Sequence, residues 1–276
     1  MELPILTYHS LNISGNDYCN NDHIAFEHDI ELIHKEGFTI IPLLEVVRAF
    51  SEGTLADLKN CIALTFDDGS HLDYHDVEHP AYGVQKSFFN IMMAFEKKHT
   101  HRKPSSIHSS SFVIASPEAR EELDLKCLNG SRWWTDDWWH KAADSGLLSI
   151  ENHSWDHNHP VLDVVAQQNQ IKGIFTAIDN YHDAHRQIKW ASTYINTRLK
   201  NHSVQLFAYP YGESNEYLTD DYFPGHRHEH QTLAAFVTGD NFLTANSNQW
   251  AIPRFVCGSG WNSPEELLYI LNSART

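Results

Sequence analysis

The segment Thr65-Phe66-Asp67-Asp68-Gly69 carries the most chemistry in this chain. It closes an apolar run, Cys61 to Phe66, that reads as a buried strand. Two adjacent carboxylates repel each other, more so away from water, and a fold keeps such a pair where a cation or a proton has a use. Side chains alternate along a strand, so Asp67 and Asp68 are expected to point apart. One can then hold a metal while the other reaches a substrate or a water. A second segment, His153-Ser154-Trp155-Asp156-His157, offers imidazoles at i and i+4. On one helical turn, or a helix-like loop, that spacing aims both rings at one point. It follows another strand-like run, Leu147 to Ile150. Asp68, His153 and His157 make a facial set with coordination positions left open, as catalytic metal sites have, and zinc is its default ion. Alone, an Asp-Asp-Gly is usually only a turn, and 20 histidines produce an HxxxH pair easily. Together, at the ends of two predicted strands, they stand where α/β folds put their chemistry.

The elements that must position these residues alternate along the chain. Leu3 to His9 reads as a first strand ending in a histidine. Residues 24–36 carry helical spacing ended by Gly37, and Phe38–Ile41 is a short strand. Pro42–Phe50 reads as a helix, followed by the strand that ends in Asp67. Ser87–Met93 is apolar enough for another strand. Residues 96–135 break the rhythm and read as a surface insertion with a short strand at Phe112–Ala115. Thr135 is a candidate N-cap for the helix opened by Trp133-Trp134 and Trp138-Trp139. These tryptophans either stack on a sugar or pack a helix onto the core. A long helical stretch over Val161–Lys200, broken near Gly173, precedes strands at Val204–Ala208, Leu233–Thr238 and Trp250–Val256. The chain closes with an amphipathic helix, Ser263–Ser273. Alternating strands and helices predict a parallel sheet, open or closed into a barrel, in one domain over residues 1–276.

Composition narrows the partners. A net charge of −16 excludes a nucleic-acid surface, which needs clustered Lys and Arg, and disfavours an anionic membrane. An apolar content of 41% supports a sizeable core, and no 18-residue apolar run marks a transmembrane helix. The four cysteines are far apart, with no CxxC, so four free thiols in a reducing compartment are expected. Met1-Glu2-Leu3-Pro4 has no basic region and enters a strand at once, which points to a cytoplasmic chain, or to an exported one whose leader has been removed. Oligomeric state is not legible.

These residues together resemble the polysaccharide deacetylases of carbohydrate esterase family 4, with their NodB-homology domain. Thr65–Gly69 is similar to the family's first motif, TFDDG, and His153–His157 to its second, H-(S/T)-x-x-H. Tyr209-Pro210-Tyr211-Gly212 resembles the third, R-x-P-Y-G, with Ala208 where the arginine should stand. The resemblance implies a distorted (β/α) barrel of about seven strands and metal-dependent removal of acetyl groups from N-acetylated sugars. It implies Asp67 as general base, Asp68, His153 and His157 as metal ligands, and the Tyr211 N–H as an oxyanion donor. The family's general-acid histidine belongs near the C-terminus, but Leu267–Leu271 contains none. Ile5-Leu6-Thr7-Tyr8-His9 looks like that motif moved to the front, as in the permuted poly-N-acetylglucosamine deacetylases. His9 is therefore the candidate acid; otherwise it only caps strand one. Arg254, at a strand end, is the candidate replacement for the missing arginine, or else a structural ion pair. The rival readings are hydrolysis of another amide, such as a cyclic ureide, glycan binding without catalysis, and metal sequestration by histidines.

Overall fold

The computed structural model describes residues 1–99, 107–167 and 175–275. Its frame is a sheet of parallel pairs: β1 (Ile5–His9), β2 (Thr39–Ile40), β3 (Cys61–Asp67), β6 (Ser109–Val113), β7 (Leu148–Asn152), β8 (Leu206–Ala208), β9 (Ala234–Phe236) and β10 (Phe255–Val256). A separate antiparallel hairpin joins β4 (Val77–His79) to β5 (Gly83–Gln85). The strand order is β10-β1-β3-β6-β7-β8-β9, with β2 beside the start of β3. The stretch just before β10 returns to β9. Ile252 exchanges backbone hydrogen bonds with Ala235 and Val237, so one segment pairs with β9 at its start and β1 at its end. The sheet thereby curls into a distorted, NodB-like (β/α) barrel with seven strands around the ring.

Parallel strands covered on both faces read as continuous apolar runs. That is why β3, buried from Ile62 onward, is plain in the sequence. The helices lay apolar stripes on this wall. Asp22–Lys35 is capped by Asn21, whose side chain accepts from His23 and Ile24, and buries Phe26, Ile30 and Ile33. Pro264–Ser273 starts under the Ser263 cap and buries Leu267, Ile270 and Leu271. Tyr8, Phe26, Phe66 and Phe88 interlock at the centre.

Three expectations change. The segment predicted as a strand at Ser87–Met93 is the start of a helix, Phe88–His99. Its buried Phe88, Ile91, Met92 and Phe95 follow helical spacing, while the first turn alone is apolar enough to pass for a strand. Thr135 caps no helix; that helix starts at Trp139. The region read as a surface insertion contains β6, fully buried between β3 and β7 and three residues earlier than the short strand expected there. Ser109, Ser110 and Ser111 disguised it: a polar run carries no apolar signal, yet each serine is buried. Residues 100–106 of that region, and the break expected near Gly173, lie outside the described residues.

The junction of β7 and β8 is thin, a single residue pair, Asn152 with Phe207. Glu151 compensates: one carboxylate oxygen accepts the N–H groups of Gln205 and Leu206 at 2.8 and 2.9 Å. Burial pushes the Glu151 carboxyl up to about 8, so it is a neutral acid over most of the physiological range. Asp29 is a second buried acid without a cation, accepting from Tyr8, Tyr18 and Trp261 and raised by burial to about 7. Trp261 thus belongs to the core, as do Trp138 and Trp139. All four cysteines are free thiols. Among the described residues, no helix is long and apolar enough to cross a membrane.

Candidate active site

Asp67 and Asp68 do part at the end of β3. Asp67 turns into the barrel and meets Arg254, whose two terminal nitrogens donate to its two oxygens at 2.8 and 2.7 Å. Arg254 is fully buried, also donates to Thr65 Oγ1, and lies over the Phe112 ring. Burial alone would raise the Asp67 pKa, but the charges of Arg254 and His153 and the Arg254 hydrogen bonds together outweigh it and hold the carboxyl below its ordinary value. The base candidate is therefore ionised and aimed.

Asp68 takes a left-handed backbone conformation, φ 72°, and swings its carboxylate the other way. Gly69 follows at φ 65°, and a Cβ there would run into Val113 of β6, so glycine is required. The carboxylate stands 3.5 Å from His153 Nε2 and 3.4 Å from His157 Nε2. The two histidines sit on a loop after β7 rather than on a helical turn. Ser154 and His157 have φ of 76° and 58°, which folds the loop back and brings the rings to 4.9 Å. Ser154 braces it twice: its N–H reaches Asn152 Oδ1, and its hydroxyl accepts from the His157 N–H.

The donor set fits a divalent ion. The three ligand atoms lie within 4.8 Å of one another. His153 Nδ1 is 2.9 Å from the Ala208 carbonyl, which can only accept, so the proton sits on Nδ1 and Nε2 faces Asp68. Burial, and then the neighbouring His153, push His157 down to about 3, keeping it a neutral imidazole. Asp68 stays ionised because its His153 hydrogen bond and the nearby histidine charges overcome burial. Without an ion, the two carboxylates draw a proton to His153 and raise its pKa despite burial. One carboxylate and two inward imidazoles match zinc chemistry.

His9 comes from β1 in register with Asp67, so both rise on the same side of the ring. Its N–H is fixed by Asp22 Oδ2 at 2.8 Å, and its Nδ1 is buried without a protein partner. Tyr211, at φ 57° in the loop after β8, lays its ring edge-on to His157 at 4.7 Å. Gly212 beside it leaves no room for a Cβ against Thr238. One open cleft of about 430 Å³ is lined by His9, Asp67, Asp68, His153, His157 and Tyr211. All the sequence-predicted site residues meet here, Arg254 from beneath.

Several contributors were not legible beforehand. Thr238, Asp240 and Ser259 complete the cleft wall, without a motif to mark them. Trp134 donates its indole N–H to the Asp68 carbonyl at 3.0 Å, so one member of the tryptophan cluster steadies a site residue. Ala208 orients His153 through its backbone, for which no side chain gives a signal. His226, His228 and His230 stay away from the cleft; His226 and His228 gather at Glu229, and His230 is buried beside Trp250.

The comparisons with known proteins agree. No curated protein matches the chain. Among solved structures, the Streptococcus pyogenes deacetylase PplD in complex with acetate is 19% identical, with a TM-score of 0.63 over 98% of each chain. IcaB from Ammonifex degensii is 16% identical, with a TM-score of 0.58 over 100% of this chain and 97% of its own. The BpsB deacetylase domain from Bordetella bronchiseptica is 15% identical, with a TM-score of 0.56 over 92% and 95%. These likenesses concern the fold. The family model for polysaccharide deacetylase matches residues 55–222, which include both acidic and histidine motifs, and on that match the chain belongs to the polysaccharide deacetylase family.

Proposed function

We propose that this chain hydrolyses the N-acetyl amide of N-acetylglucosamine-type sugars, using one divalent ion, zinc by preference, held by Asp68, His153 and His157. The observation that carries the reading is the pairing of roles around one cleft. A clamped, ionised Asp67 stands beside an open-sided ligand set, with His9 in register across from it. A bound ion of this kind polarises an amide carbonyl and lowers the pKa of a water. Asp67 takes the proton of the attacking water, and Arg254 keeps it charged and correctly turned. The Tyr211 N–H is the oxyanion donor, because its left-handed turn lies on the cleft wall next to His157. His9, as imidazolium, gives a proton to the departing amine nitrogen.

The test is metal content measured beside acetate release from N-acetylglucosamine oligomers. Wild type is expected to hold one ion per chain and release acetate. Asp67→Asn is expected to keep the ion and lose activity by about 10²–10⁴-fold, the usual worth of a general base. His153→Ala is expected to lose both. An Asp67→Asn protein with near-normal turnover overturns the assignment of the base.

A further inference from the structure

The loop that carries His153 and His157 is held by a helix that the reaction described above does not use. This helix changes its winding on the way. It is α-helical over Tyr181–His185, π-helical over Arg186–Trp190 and α-helical again over Ala191–Leu199. A π turn is wider than an α turn, its hydrogen bonds reaching five residues instead of four, and such turns recur beside functional sites. Here the wide turn is the part that meets the histidine loop.

Gln187, buried in that turn, commits its whole amide to the loop. Its Oε1 accepts the N–H groups of Trp155 and Asp156 at 3.2 and 3.3 Å, and its Nε2 donates to Asp156 Oδ1 at 2.8 Å. Asp156 Oδ1 also accepts the Asn158 N–H at 3.0 Å. The backbone on both sides of His157 therefore hangs on one side chain. The same helix takes the residues around His153. The Asn152 amide nitrogen donates to the Ile188 carbonyl and to the Ser192 hydroxyl at 2.8 and 2.9 Å, while its oxygen accepts the Ser154 N–H. All four neighbours of the two histidines, Asn152, Ser154, Asp156 and Asn158, belong to this network.

The loop needs such a grip. Ser154, His157 and Asn158 have φ of 76°, 58° and 51°, three left-handed residues among five, and none is glycine. Strained backbone of this kind persists only where its surroundings over-determine it. Once the grip is lost, the loop can relax and the two rings need no longer face Asp68 together.

We propose that Gln187 is a positioning residue for the metal centre: the π turn delivers its amide to the histidine loop, and that amide sets the conformation in which His153 and His157 share one ion. The inference rests on the metal-dependent deacetylase reading and deepens it, because it adds a residue outside all three motifs on which the ligand set depends.

The experiment measures the zinc dissociation constant by competition with a chelator, for wild type, Gln187→Ala, Gln187→Met and Ile195→Ala. The visible spectrum of each cobalt-loaded protein and a denaturant melt of each metal-free protein accompany it. Both Gln187 variants are expected to bind zinc about tenfold or more weakly, the lower end of what outer-shell partners usually contribute. Their cobalt bands, which report ligand geometry, are expected to change. Gln187→Met keeps the length of the side chain and serves should Gln187→Ala misfold. Ile195→Ala removes buried apolar atoms from the same helix within the main core. It is expected to lower the melting midpoint and to bind zinc as wild type does. Wild-type zinc affinity with an unchanged cobalt spectrum in a folded Gln187 variant overturns the proposal. So does a loss of affinity in Ile195→Ala as large as that in the Gln187 variants, since affinity would then follow stability alone. A wild-type protein that binds no zinc overturns the metal-dependent reading, and this inference with it.

Discussion

Asp67 is a carboxylate with almost no water around it that nevertheless stays ionised, and Arg254 is the reason. Removing one partner of a buried pair strands the other charge, at about 3–5 kcal/mol. Arg254→Met is therefore expected to lower stability by that order and to raise the Asp67 pKa. A base with a raised pKa is lost at higher pH, so the acid limb of the activity profile should move upward; an unmoved limb in a folded variant would separate Arg254 from the base. The position was half legible in the sequence. A charged residue ending an apolar run can be noticed, but its reach across β1 to Asp67 depends on how the ring closes. Ala208 shows the converse: the side chain looked like a loss, and the backbone carbonyl turned out to orient His153.

Among the elements, those with a clean apolar period were readable and those held by polar contacts were not. β3 was visible because it is apolar throughout, and β6 was hidden because its first three residues are serines. Glu151 belongs to the hidden kind, a side chain standing in for ladder hydrogen bonds between β7 and β8. As a neutral acid it is close in shape and polarity to glutamine, so Glu151→Gln should be nearly silent. Glu151→Ala leaves the buried Leu206 N–H and the part-buried Gln205 N–H without an acceptor, at about 1–3 kcal/mol for the buried one and less for the other. Denaturant melts of the two variants check the difference. Gly69→Ala forces a Cβ into Val113 at a left-handed φ, and should cost at least about 1–2 kcal/mol while displacing Asp68 and weakening metal affinity.

For the molecule as a whole, buried titratable groups set the pH range of stability. Asp29, Asp73 and Glu151 are pushed by burial to about 7, 7 and 8. Unfolded, they ionise near 4, so between there and pH 8 unfolding releases protons and rising pH favours it. His23 and His108 are held by burial near 4, so below about pH 6.5 unfolding takes up protons and falling pH favours it. The two trends oppose each other between about pH 4.5 and 6.5. Above that the acids act together with His153, whose raised pKa is likewise a stability lost as pH rises, and the thermal midpoint of metal-free protein is expected to fall from pH 6.5 to 8.5. A rising midpoint over that interval would mean these carboxyls are charged in the folded state. None of this was legible in composition, which counts acids and histidines but not which of them lose water.

The segment that closes the barrel has a consequence for biosynthesis. Asp67 and His9 are made well before the arginine that keeps Asp67 charged, which is translated 187 residues after Asp67. A ribosome-bound chain that has threaded its first strands holds a carboxylate with no countercharge and a ring with no final strand. Both needs are met in one event, when residues 249–256 slot between β9 and β1. Catalytic competence should therefore arrive abruptly, once residues 249–256 are in place, so that chains stalled or cut before them are inert rather than partly active.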